Sequence, residues 1–205
     1  YYFFKYLKTY YYAIIMKIGI LGFQGAFIEH IEMLNEMNIE NTIVRDKDDL
    51  DHINGLIIPG GESSTIRKFI YCNPSFRSKL IKFIHKDKKP VLGTCAGLIV
   101  LSNTVDNSQN TLIGGLDICV MRNYFGPQIN SSIKDTIFLP NNSKKKQIFI
   151  RAPYISTVKK EVDIICKSDK NLITGVKQGN IIGLSFHPEL SKDRDIYLYF
   201  FNLIN

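Results

Sequence analysis

The chain has 205 residues and a formal net charge of +7, a length that suits one domain with room for a large core. A hydrophobic fraction of 45% and a charged fraction of 22% belong to a globular chain, and 14 glycines with 7 prolines exclude collagen-like and Pro/Gly-rich disordered classes. The basic excess is too small to argue for a nucleic-acid partner.

Residues 1–15 differ from the rest: eight of the fifteen are aromatic, and Lys5 and Lys8 are the only charges. The stretch has no small-residue cleavage site, so it does not read as a secretory signal. It reads as an extension ahead of a single domain spanning 16–205, the alternatives being a surface helix or strand or an interfacial anchor. From Lys17 strand, loop and helix alternate. Lys17 to Phe23 is a short apolar strand ending near glycine, and Phe27, Ile31, Leu34 and Met37 recur at helical spacing. Thr42 to Arg45 reads as a second strand, and Gly55 to Gly61 as a buried strand stopped by Pro59 and two glycines. Helical segments precede and follow Pro74. Pro90 to Ser102 then runs strand, tight turn, helix. Continuous apolar strands alternating with helices predict an α/β fold, a mainly parallel sheet covered on both faces.

The second half is richer in strands: Leu116 to Met121, Gln147 to Ala152, Val162 to Lys167, Leu172 to Gly179 and Asn180 to His187. The last two flank Gln178-Gly179-Asn180 and suggest a hairpin. Pro140 to Gln147, with Lys144 to Lys146, reads as a solvated polar loop. Asp193 to Ile204 reads as a closing amphipathic helix. The longest apolar runs, Tyr10 to Met16 and Ile196 to Ile204, fall well short of the roughly 20 residues of a membrane span, so no membrane partner is expected.

Cys72, Cys95, Cys119 and Cys166 include no C-x-x-C pair. That disfavours a zinc site and, in a chain with this much core, a disulfide framework, and it predicts reduced thiols in the cytoplasm with no metal. One cysteine stands apart. Gly93-Thr94-Cys95-Ala96-Gly97 has the form G-x-C-x-G between an apolar strand and an apolar helix, the layout of a nucleophile elbow. Such a turn is strained and needs small neighbours. It sets Cys95 at a helix start, whose positive end favours a thiolate, with the Ala96 N–H aimed at any oxyanion formed there. The other three cysteines read as packing residues.

His187-Pro188-Glu189 follows another apolar strand. Residues i and i+2 of an extended chain share a side, and Pro188 biases His187 away from helix, so an imidazole with a carboxylate beside it is presented. Nucleophilic catalysis requires such an oriented base. Pro59 to Ser64 closes a third strand and opens a helix; its glycine-turn N–H groups suit an anion or a polarised oxygen, and Ser63 and Ser64 suit the N-cap. His30 and His85 fall in helices among charged neighbours and His52 in an acidic loop; each reads as solvated.

Taken together, PGGES, GTCAGL and HPE resemble the class I, triad-type glutamine amidotransferases. LGFQGA, RNYFGPQ and FIRAP resemble more specifically the glutaminase subunits of pyridoxal 5′-phosphate synthase, and the likeness runs from Met16 to the C-terminal helix. It implies a flavodoxin-like three-layer sandwich, a Cys95–His187–Glu189 triad, an oxyanion site at Gly60, Gly61 and Ala96, and a pocket for L-glutamine at Gly61, Glu62, Ser63, Arg122, Ile150 and Arg151. Gln24 matches a position that responds to the synthase subunit. No cofactor is implied. Ammonia from glutamine would pass to the synthase subunit, which joins it to a pentose phosphate and a triose phosphate. Residues 1–15 and the long stretch from Ile133 to Lys146 depart from the pattern. Other readings are a glutaminase serving another synthase, such as the one building imidazole glycerol phosphate, a partner-free Cys-elbow hydrolase, and a non-catalytic binding protein on the same fold.

Overall fold

The computed structural model describes residues 16–109, 112–122 and 132–204; the 1–15 extension and most of the RNYFGPQ stretch lie outside the described residues. In chain order the first half runs β1 (Lys17–Leu21), α1 (Phe27–Glu36), β2 (Glu40–Val44), β3 (Gly55–Ile58), α2 (Ser63–Cys72), α3 (Pro74–Ile81), β4 (Val91–Thr94) and α4 (Ala96–Leu101). It continues with β5 (Ser102–Val105), β6 (Ser108–Gln109), β7 (Leu116–Met121), β8 (Ser132–Phe138), β9 (Ser143–Phe149) and β10 (Tyr154–Val158). The chain closes with β11 (Asp163–Ser168), β12 (Ile173–Gln178), β13 (Ile181–Leu184) and α5 (Arg194–Phe201).

Among the described residues the central sheet has nine strands, in the order β2-β1-β3-β4-β13-β12-β11-β8-β9. From β2 to β13 every neighbouring pair is parallel; from β13 to β9 every pair is antiparallel. The expected parallel sheet is thus the half that carries strand, turn and helix units, and hairpins extend it. The hairpin expected at Gln178-Gly179-Asn180 joins β12 to β13, with Gln178 paired to Ile181.

Side-chain alternation along these strands builds two cores. Ile18, Ile20, Ile57, Leu92, Ile182 and Leu184 face α1 and α5. Leu56, Ile58, Val91 and Ile181 face the other way, toward α2, α3 and α4. Because successive residues point to opposite faces, a fully apolar strand is what a sheet covered on both sides demands. The result is three layers. A smaller sheet, β10-β7-β5-β6, packs into the second core through Val105, Ile118, Val120 and Ile155. α5 buries Ile196, Tyr197, Phe200 and Phe201; full burial of each such side chain contributes about 1.5–3 kcal/mol.

Several expectations are corrected. Lys144 to Lys146 are not in a loop but in β9, which pairs with β8 in unbroken register from Ser132↔Phe149 to Phe138↔Ser143. The alternation lets Lys144 and Lys146 face solvent while Gln147 is buried and Lys145 bridges Asp193 and Asp195. The helix N-cap is Glu62, whose carboxylate accepts from Ser64 N–H, rather than Ser63 or Ser64. Cys72 is exposed, because it lies off the inward stripe of Ile66 and Ile70 on α2.

The close approach of α4 to β3 makes a stability prediction. A Cβ on Gly97 would sit 2.1 Å from the Ile58 carbonyl oxygen, which is backbone and cannot swing away. Gly97→Ala is expected to lower unfolding stability by about 1–3 kcal/mol in urea titrations followed by circular dichroism. An unchanged midpoint would mean the two elements separate freely.

Candidate active site

Four chain segments meet at the carboxyl ends of β1, β3, β4 and β13, the edge where open α/β sheets place their sites. The β4–β13 register pairs Thr94 with Leu184, and the Cys95 N–H donates to the Leu184 carbonyl at 2.8 Å. One pairing therefore carries Cys95 and the His187-Pro188-Glu189 segment to the same place. On the far side the His187 N–H donates to the Ile148 carbonyl at 2.9 Å, which ties the segment to β9.

Cys95 takes φ 48° and ψ −99° between β4 and α4, outside the regions L-residues favour. A non-glycine residue held this way stores about 1–3 kcal/mol, so the elbow inferred from G-x-C-x-G is present and strained. Its thiol donates to the Ile150 carbonyl at 3.6 Å, and its side chain is hydrogen-bonded to His187. His187 Nδ1–H donates to Glu189 Oε1 at 2.6 Å. Cys95, His187 and Glu189 are 6%, 5% and 4% exposed, which keeps water from screening the contacts among them.

Burial works against a charge on His187, but hydrogen bonds to Cys95 and Glu189 and the charge of Glu189 outweigh it and raise its pKa to about 10. Burial likewise opposes ionisation of Glu189; its neighbours His30 and His187 overcome that and hold the carboxyl below its ordinary value. An imidazolium beside a sulfur, with an anion behind it, can support a thiolate and deliver a proton to a leaving group.

Gly60 lies directly over this pair. A Cβ there would fall 2.3 Å from His187 Cε1 and 3.2 Å from Cys95 Cβ, so only glycine leaves room for a reacting group. The Gly60 carbonyl accepts from the Ala26 N–H at 3.0 Å, which interlocks the turn before α2 with the turn after β1. Gln24 lies in that second turn, half-buried, with its Oε1 sealed from solvent and unpaired. Ala96 is the first residue of α4, next to Cys95.

Ile150 borders Cys95 through its carbonyl, and Arg151 follows it at φ 46°, exposed. Glu62 caps α2; its carboxyl is held below its ordinary value by Ser64 first, with Arg151 and Arg122 adding attraction. Glu62, Arg151 and Arg122 therefore share one electrostatic neighbourhood. Ser63 is buried as the first residue of α2. Arg122 is exposed at the end of β7 and paired with Asp106, its Nε 2.7 Å from Oδ2. No motif marks Asp106, so the sequence offered no signal for that pair. Among the described residues no three His, Cys, Asp or Glu side chains are grouped to hold a metal.

His30 corrects a further expectation. It is not solvated but fully buried behind Glu189, with Nε2 3.4 Å from Glu189 Oε2. It lies on the inward stripe of α1 with Met33 and Leu34, so helical spacing, weighed above its charged neighbours, was the signal that could have found it. His85, by contrast, is exposed as expected, in the π-helical stretch Lys82–Lys86, and hydrogen-bonds the Ile113 carbonyl at 3.0 Å.

The sequence matches the model of the SNO glutamine amidotransferase family over residues 20–205. It is 38% identical over 192 residues to the pyridoxal 5′-phosphate synthase subunit PdxT of Clostridium acetobutylicum, covering 92% of this chain and 100% of that one. The PdxT of Clostridium beijerinckii is 40% identical over 186 residues, covering 90% and 96%. A crystal structure described as a glutamine amidotransferase superposes with a TM-score of 0.83 at 34% identity, over 91% of this chain and 98% of that chain. The structure of PurLQS from Thermotoga maritima, at 18% identity and a TM-score of 0.72 over 93% and 99% of the two chains, shares the fold.

The charge arrangement around His187 is testable by itself. Because anionic Glu189 favours the charged imidazole, Glu189→Gln should move His187 deprotonation from near pH 10 to lower pH. NMR titration of the His187 ring resonances measures this directly, and a titration identical to wild type would show that the carboxylate does not sustain the imidazolium.

Proposed function

The chain belongs to the SNO glutamine amidotransferase family, and from that premise we propose that it is the glutaminase subunit of a pyridoxal 5′-phosphate synthase. The observation that carries the reading is the buried Cys95–His187–Glu189 set at the carboxyl ends of β4 and β13, joined to the likeness to PdxT chains over nine-tenths of the length. The triad alone would suit a glutaminase serving another synthase; the PdxT likeness favours this one.

In this mechanism L-glutamine enters with its side-chain amide carbon facing Cys95 Sγ and its α-amino acid end among Glu62, Ser63, Arg122, Ile150 and Arg151. A guanidinium can bind the α-carboxylate in a bidentate way. Sulfur attacks the amide carbon, and the carbonyl oxygen becomes an oxyanion. N–H groups at Gly60, Gly61 and Ala96 stabilise it, each such donor contributing roughly 3 kcal/mol. As the tetrahedral intermediate collapses, the imidazolium of His187 gives its proton to the departing nitrogen, and ammonia leaves. Neutral His187 then takes a proton from water, whose oxygen attacks the γ-glutamyl thioester. Glutamate departs, and the thiolate–imidazolium pair is restored. Glu189 keeps the imidazole in one tautomer and orientation throughout.

We assign the released ammonia to a synthase subunit bound to this one, with Gln24 in the turn that senses the partner. The interlock between residues 24–26 and 59–61 supports that role, since pressure on one turn is passed to the oxyanion site. Four free cysteines suit a reducing cytoplasm. Among the described residues no helix is long and apolar enough to cross a membrane.

Glutamate formation from glutamine, with and without a pyridoxal 5′-phosphate synthase subunit and with Cys95→Ser as blank, tests the reading. Strong stimulation by that subunit is expected, and Glu189→Gln should cut kcat by roughly 10²–10⁴-fold. Hydrolysis indifferent to the subunit would move the protein to another amidotransferase system. A folded protein inactive in both conditions would overturn the assignment.

A further inference from the structure

His30 is a buried ionisable side chain beside the triad to which the mechanism above gives no task. It is 0% exposed, and both ring nitrogens have neighbours. Nδ1 lies 2.6 Å from the Tyr197 hydroxyl. Nε2 lies 3.3 Å from Thr94 Oγ1 and 3.4 Å from Glu189 Oε2. The two oxygens of Glu189 are therefore used differently. Oε1 accepts from His187, whereas Oε2 is sealed from solvent and makes no hydrogen bond of good geometry. An unsupported anionic oxygen in a dry site is costly, and His30 is the donor that faces it.

The tautomer follows from the chemistry of the neighbours. Nε2 faces the Thr94 hydroxyl, which can accept, and the anionic Oε2, which can only accept; both favour the proton on Nε2, and Nδ1 then accepts from the Tyr197 O–H. Burial and the nearby imidazolium of His187 hold His30 below its ordinary pKa against the pull of Glu189 and Glu29, which favours the neutral ring. Burial, with Glu189 and Asp193 nearby, pushes the Tyr197 phenol well above its ordinary value, so its proton stays available to donate. A continuous line of groups results: Tyr197 on α5, His30 on α1, Glu189 and His187 after β13, and Cys95 after β4.

We propose that His30 is a positioning residue for this reaction, held by Tyr197 and Thr94 so that its Nε2–H fixes the second oxygen of Glu189 and, through it, the orientation of His187. The proposal rests on the glutaminase reading for its role in turnover, but not for the geometry. A carboxylate held at one oxygen can rotate; a donor dipole facing the other at 3.4 Å restrains that rotation electrostatically, and the imidazole it orients inherits the restraint. The same principle applies where an outer hydrogen-bond partner orients a ligand or base.

The test compares His30→Leu, which keeps the bulk and removes the donor, with His30→Gln, whose amide nitrogen can reach near the lost Nε2. Tyr197→Phe removes only the hydroxyl that fixes the tautomer. Each is assayed for glutamine hydrolysis with the synthase subunit, and each is titrated by NMR at His187. His30→Leu should lose roughly tenfold or more in kcat with little change in KM, and its His187 titration should move to lower pH. His30→Gln should recover a substantial part of both, and Tyr197→Phe should show a smaller loss of the same kind. Wild-type kcat and titration in folded His30→Leu would overturn the proposal. So would equal losses in the Leu and Gln variants with the His187 titration unmoved, which is the mark of a packing role. If His30→Leu does not fold, Tyr197→Phe decides: a reduced kcat with a shifted titration supports the proposal, and wild-type values for both overturn it. Should even the wild type fail to hydrolyse glutamine, the glutaminase reading falls, while the His187 titrations still decide whether His30 acts through Glu189.

Discussion

The parallel pairing of β4 with β13 is the constraint on which the site depends. Val91 pairs with Ile181 and Thr94 with Leu184, so two segments far apart in sequence end side by side. A slip of one residue would turn every side chain of β13 to the opposite face. Ile182 and Leu184 would leave the core shared with α5, and the His187 segment would miss Cys95. Hydrophobic burial on both faces thus sets the register, and the register sets the distance between sulfur and imidazole. The proposed chemistry needs sub-ångström placement, which the packing of apolar strands can supply.

A second constraint follows from the first. Cys95, His187 and Glu189 sit where water is excluded, so an ionised Glu189 is an anion in a dry site. An isolated buried carboxylate would become protonated. Here His187 and His30 flank it, one at each oxygen. Those partners come from opposite directions in the fold: His187 from the sheet edge, His30 from α1, itself held by Tyr197 of α5. The helix layer on that face is therefore part of the electrostatics of the site as well as of the core. Desolvation and pairing pull against each other at both His187 and Glu189, and pairing prevails at each.

Much of the site was legible because it rests on local rules. A G-x-C-x-G between apolar segments suits a strand, tight turn and helix, and Cys95 shows the strained dihedrals that such a turn requires. His187-Pro188-Glu189 is local for the same reason, its imidazole and carboxylate lying two residues apart. His30 was misjudged because its neighbours Glu29 and Glu32 are charged, whereas its own position falls on the buried stripe of α1. The lysines of β9 were misjudged because three successive charges look solvated. In a strand only alternate residues must be, and Lys145 finds Asp193 and Asp195 from the helix across from it. Arg122 pairs with Asp106 across the small sheet, a contact between β7 and the turn after β5 that no spacing in the sequence encodes.

The sequence by itself determined the alternation of strands and helices, the two-sided burial of the parallel strands, the elbow at Cys95 and the adjacency of His187 and Glu189. Each of these follows from periodicity, turn chemistry and φ restrictions that act over a few residues. Only the tertiary structure decided that nine strands form one mixed sheet, that Gly60 lies over Cys95 and His187, and that His30 stands behind Glu189. These are contacts between segments tens of residues apart. They arise from strand register and helix docking, which the burial of whole faces selects and no local pattern records.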